Sequence, residues 1–142
     1  MKSTRRRLFW HGMVLFLLGL LTGFVIPALT NPRAGLAAHL EGVMNGTFLV
    51  VLGLVWRELR LSSRLATTAF WMALFGTYVN WFCILLSGVW GTSRMTPIAG
   101  DGFEGANWQE MFVNTGLIAL SIAMVGCLGI VVWGLRGKSP EN

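Results

Sequence analysis

The sequence predicts an all-α integral membrane protein, a four-transmembrane-helix bundle with both termini cytoplasmic. Three observations carry that expectation. Hydrophobic residues make up 54% of the 142 and charged residues 12%, where a soluble domain carries about 25% charged residues; the mean hydropathy is +0.64. The apolar residues gather into four long runs, about 8–29, 36–56, 65–90 and 110–135. With the N-terminus in the cytoplasm, Lys2, Arg5, Arg6, Arg7, Arg57, Arg60, Arg64, Arg136 and Lys138 fall on one side, and only Arg33 and Arg94 on the other. That asymmetry orients membrane proteins, and three or five spans would break the alternation.

Each span has its own signals. Met1–Arg7 is a short basic head. Leu8–Leu29 is apolar apart from His11, Thr22 and small residues, and at about 1.5 Å per residue it can cross a core of roughly 30 Å. A signal peptide opens alike but has a shorter apolar part and a small-residue cleavage site; here the run continues to Ile26 and Pro27, so it reads as a retained first helix. Thr30–Arg33 contains Asn31-Pro32, a turn initiator. The second span covers about Leu36–Trp56, and the charged loop Arg57–Arg64 follows. The third covers about Leu65–Trp90 and is rich in Phe and Trp. Gly91–Gln109 is the longest connection, glycine-rich with Pro97, Asp101 and Glu104, and the fourth span runs from about Glu110 to Leu135 before a polar tail. No internal repeat is evident, and residues 1–142 read as a single membrane domain.

Several function classes drop out. The net charge of +5 forms no basic stripe, which argues against nucleic acid. Cys83 and Cys127 make no CxxC and read as small buried apolar residues. No phosphate-binding loop, dinucleotide fingerprint, HExxH or Ser-His-Asp arrangement is present. Four short helices without a broken helix or inverted repeat do not suggest a transporter.

What remains is polarity at membrane depth, where an ionisable side chain marks function when a partner can be named. The richest stretch is Ala37–Gly46, AAHLEGVMNG. His11 and His39 fall near opposite faces of the bilayer, so they cannot share one iron. Each can be a single axial ligand, which leaves the other axial position open for Lewis-acid chemistry. No CxxCH is present, so any haem is non-covalent. His39, Gly42 and Gly46 share a face at i, i+3, i+7, and the glycines leave room for a flat ligand or for another helix. Asn45 lies roughly 120° round from His39 and about 9 Å deeper. A single helix does not aim both at one point, whereas two protomers of a symmetric oligomer can. On the third span Asn80, Cys83, Ile84 and Ser87 share a face, with Tyr78 nearly opposite Asn80. Phe75, Trp81 and Phe82 are wall candidates or plain core and lipid contacts. Glu41 reads as solvated or interfacial, and Asn114 as near the interface.

These residues resemble the hydroxylaminobenzene mutase family of small bacterial membrane isomerases in nitroarene degradation. The resemblance covers most of the chain and is densest in RRLFWHGMVLFLLGLLTGFVIPAL, NPRAGLAAHLEGVMNGTFLVVLGL and MTPIAG. More distantly the chain is similar to the haem-dependent styrene oxide isomerases, through His39 followed by Asn45-Gly46 and through Asn80. That resemblance implies a homotrimer in the bacterial inner membrane, in contact with lipid, with haem b at subunit contacts. It implies His39 as the axial iron ligand, Gly42 and Gly46 beside the cofactor, and Asn45 and Asn80 as catalytic residues on the substrate oxygen. The epoxide isomerases carry a catalytic tyrosine four residues after the helix-3 asparagine, and here that position is Ile84. The implied reaction is rearrangement of an N-aryl hydroxylamine to an ortho-aminophenol, with ferric haem as Lewis acid; the alternatives are an epoxide isomerase and a non-catalytic membrane haem protein.

Overall fold

The computed structural model describes residues 2–136; Lys138 and the rest of the polar tail beyond Arg136 lie outside the described residues. The elements are α1 (Lys2–Val25), a 3-10 turn (Ile26–Ala28), α2 (Pro32–Val55), α3 (Ser63–Trp90), the short α4 (Pro97–Gly100) and α5 (Asn107–Gly134). Among the described residues there is no strand. The protein is all-helical, and α1, α2, α3 and α5 are long and apolar enough to cross a membrane.

Boundaries follow local chemistry. α1 begins at Lys2 instead of Leu8, because Lys and Arg are good helix formers and no breaker precedes the apolar run. It yields to the 3-10 turn where Pro27 removes an amide donor. α2 starts at Pro32 instead of Leu36: Asn31 Oδ1 accepts from the amides of Arg33 at 3.0 Å and Ala34 at 3.1 Å, and a proline in the first turn loses no helical bond. Ser62 caps α3, and Gly91, with φ of 74°, ends it in the left-handed region. At the start of α5 the Gln109 side chain accepts from Ala106 N–H at 2.8 Å.

The long helices pack mainly in chain order: α1 on α2, α2 on α3 and α3 on α5, with a minor α1–α3 contact and no substantial contact between α1 and α5. The predicted four-helix bundle is thus an open row. One core cluster joins Leu8 and Leu15 of α1, Leu49 and Leu52 of α2, Phe70 and Leu74 of α3 and Cys127 and Val131 of α5. A second gathers Ala38, Cys83, Ile84, Val113 and Leu117. Both cysteines are free and buried, as the sequence suggests.

The end remote from the termini is held by two buried polar side chains. Asn31, fully buried, donates from Nδ2 to the carbonyls of Ala99 and Gly100, both at 2.9 Å. Glu110, 1% exposed, accepts from the amides of Ser93 at 2.9 Å, Arg94 at 3.1 Å and Gly105 at 3.2 Å. The long connection is therefore a tied cap over α2, α3 and α5, and α4 is part of it.

Candidate functional site

The polar residues of α2 divide between its two neighbours. His39 turns to α1: its Nδ1 lies 2.8 Å from the Gly19 carbonyl. A carbonyl only accepts, so Nδ1 carries a proton, and in the neutral ring Nε2 keeps its lone pair. Nε2 has no hydrogen bond among the described residues, and the ring is half-buried. Asn45 turns the other way, toward α3.

There Glu41 joins both predicted asparagines. Its Oε2 accepts from Asn80 Nδ2 at 2.6 Å and from Asn45 Nδ2 at 3.1 Å. All three side chains are half-buried. The sequence leaves Glu41 as solvated or interfacial; the structure adds that its Oε2 is engaged by two amides, since a carboxylate gains from charge-assisted donors within reach. The sequence signal was available: Glu41 and Asn45 are i, i+4 on one helix. The partner on α3 was not readable, since the angle about one helix says nothing of what faces it.

The glycines serve the helix seam. A Cβ on Gly42 would meet Gly19 Cα and would stand 2.9 Å from Trp81 Cδ1, and one on Gly46 would stand 2.5 Å from Phe16 N. Of the two uses the spacing leaves open, the clearance is taken up by α1 within the chain. Trp81 Nε1 donates to Thr22 Oγ1 at 3.1 Å, which pins the indole across α1 and α3. Phe75 and Phe82 are each 46% exposed and face outward from the row.

Tyr78 is committed elsewhere. Its hydroxyl lies 3.2 Å from His11 Nδ1 and 3.3 Å from the His11 carbonyl. Ile84, four residues after Asn80, is buried in the apolar cluster with Ala38 and Cys83. Asn114 Oδ1 is buried without a hydrogen-bond partner among the described residues.

Haem b can be tested against this donor set. Among the described residues no three His, Cys, Asp or Glu side chains come together as metal ligands. A metal bound in a porphyrin needs only one protein ligand, and an imidazole whose Nδ1–H is fixed by a backbone carbonyl is the usual form of such a ligand. His39 has that form, so the residues present fit the group.

The comparisons with known proteins enter on this geometry. A family model described as styrene oxide isomerase matches residues 4–136. Hydroxylaminobenzene mutase HabB of Ectopseudomonas oleovorans is 50% identical over 138 residues, 96% of this chain and 84% of that protein. Hydroxylaminobenzene mutase HabA of the same organism is 39% identical over 129 residues, 90% of this chain and 96% of that protein. No solved structure matches. The chain therefore belongs to the hydroxylaminobenzene mutase family, within the wider styrene oxide isomerase family, and is an enzyme of the isomerase, or mutase, class.

Proposed function

We propose that this protein rearranges an N-aryl hydroxylamine, in the simplest case hydroxylaminobenzene, to the ortho-aminophenol by intramolecular hydroxyl transfer, with haem b held by His39. The observation that carries the reading is the polar cluster Asn45–Glu41–Asn80 within two helices long and apolar enough to cross a membrane, in a chain half identical to a hydroxylaminobenzene mutase. The reaction balances without a redox partner. The N–O bond breaks with its electron pair on oxygen, a C–O bond forms at the ortho carbon, a ring proton leaves there, and the nitrogen takes one up.

His39 Nε2 would hold the haem iron, and the haem would supply Lewis-acid chemistry toward the hydroxylamine oxygen. The chain's own residues do the rest. The Gly19 carbonyl holds the His39 ring in one tautomer and one orientation. Asn45 and Asn80 bind the substrate's polar end and hold the migrating oxygen over the ring, so that return is faster than escape. The apolar helices exclude water, which would otherwise attack the ring and give the para product.

The proposed setting is the bacterial inner membrane, among lipids, with both termini cytoplasmic as the asymmetry of basic residues supports. The resemblance to the styrene oxide isomerases supports a homotrimer with haem at subunit contacts. Epoxide isomerisation is the second reading, favoured by the match to the styrene oxide isomerase family. Against it, Ile84 is apolar and buried and Tyr78 is bonded to His11.

The test is an absorption spectrum and a turnover assay on wild type beside His39→Ala, purified in parallel. Wild type is expected to show a Soret band and to form 2-aminophenol from phenylhydroxylamine; the variant is expected to lose both. Full turnover in preparations without iron pigment would refute the haem reading.

A further inference from the structure

Glu41 has no task in the chemistry above beyond meeting two amides, yet its geometry dictates what those amides show a ligand. A carboxylate accepts hydrogen bonds and donates none, whereas an asparagine amide has one accepting and one donating end. With Nδ2 of Asn80 at 2.6 Å and Nδ2 of Asn45 at 3.1 Å from Glu41 Oε2, turning either amide over would set oxygen against oxygen. We infer that Glu41 is a positioning residue that sets substrate specificity: it locks Asn45 and Asn80 so that both present their Oδ1 carbonyls to the ligand.

The consequence is a site read mainly by acceptors. Asn45 Oδ1, Asn80 Oδ1 and Glu41 Oε1 carry no hydrogen bond among the described residues, while each amide keeps a single further N–H. Such a site favours a ligand that brings donors. An aryl hydroxylamine brings an O–H and an N–H; an aryl epoxide brings an oxygen that only accepts. An acceptor that a ligand covers without offering a donor loses its water and gains nothing in return, so the mismatch weakens binding.

The inference rests on the substrate reading above, and its test separates the two. The full-length enzyme is assayed in membranes for kcat and KM with phenylhydroxylamine and for the Ki of styrene oxide, which has an aryl ring and an acceptor-only oxygen. Glu41→Gln keeps the shape but can donate as well as accept, which frees both amides to turn. The expected result is a KM raised about tenfold and a styrene oxide Ki lowered about tenfold, with a smaller change in kcat, the size of one hydrogen bond gained or lost. A merely structural role would lower kcat and leave the KM-to-Ki ratio where it was. An unchanged ratio in folded Glu41→Gln overturns the inference.

Asn80→Leu decides the matter if that variant does not fold. It removes one acceptor, so KM for phenylhydroxylamine is expected to rise about tenfold while the styrene oxide Ki holds. An equal loss for both ligands overturns the inference, because it means that the amide N–H faces the ligand. A wild-type enzyme that does not rearrange phenylhydroxylamine overturns the substrate reading itself.

Discussion

At the scale of single residues, two carboxylates of the fold, one half-buried and one buried, do different work. Glu41 is half-buried and leaves one oxygen open. Glu110 is closed, with three backbone amides from Ser93, Arg94 and Gly105 converging on its two oxygens. Removing it takes the acceptor from three part-buried backbone donors at once, and each hydrogen bond to a charged group contributes on the order of 1 to 3 kcal/mol. Glu110→Ala is therefore expected to lower the thermal unfolding midpoint sharply and to open the segment 91–106 to proteases, while Glu104→Ala, on the exposed side of the same segment, changes neither. Equal melting curves for the two would show that the cap is held by something else. The sequence names Glu110 only as the start of a span, because its ligands are main-chain groups of a loop and leave no mark in the side-chain pattern. Glu41 is harder still. An isolated acid near a helix end has the same appearance whether it meets water or an asparagine from another helix, and only the packing of α2 on α3 decides.

At the scale of elements, hydropathy and charge place the four spans well, and the ends drift for identifiable reasons. Apolar runs show where lipid can be, not where helix stops, so the basic head joins α1 and Asn31 starts α2 ahead of the apolar stretch. The short α4 was unreadable, since Pro97–Gly100 is held by Asn31 from a distant part of the chain. The glycine pattern was readable as a face, though not as a choice between cofactor and helix. In membranes, close approach of backbones is what joins helices, since lipid is as apolar as Leu. Gly42 against Gly19 is such an approach, with Gly19 N and Trp81 Cδ1 each 2.9 Å from a Cβ built at Gly42. Gly42→Leu is expected to force α1 off α2, at a cost of about 3 kcal/mol or more, and with it to release His39 from the Gly19 carbonyl. Gly129→Leu on α5, with nothing within 4 Å of its Cβ position, is the matched control. Yield of folded protein in mild detergent checks both, and a folded, haem-loaded Gly42→Leu would contradict this account of the seam.

At the scale of the molecule, the open row bears on the proposal that the site is shared between protomers. In a closed bundle the inward faces of all four helices meet, but here α1 and α5 are not in substantial contact, and the polar residues sit half-buried along the row. His39 is turned to α1 and Asn45 to α3, so the proposed haem ligand and the proposed substrate amide look to different sides of α2. A second copy related by a symmetry axis can bring the His39 side of one protomer against the Asn45 side of the next, and closed cyclic symmetry repeats that contact at every interface. The consequence is measurable by mixing. His39→Ala and Asn45→Leu are each expected to be inactive alone. Co-expressed in equal amounts, they form interfaces at random, and an interface works when the protomer giving the histidine is the asparagine variant and its neighbour is the histidine variant. That happens at about a quarter of the interfaces in a cyclic assembly, so mixed preparations are expected to regain about a quarter of wild-type turnover. Recovery near zero, with mixed assemblies confirmed by differential tags, would place both residues in the same protomer's site and leave the open row without a catalytic reason.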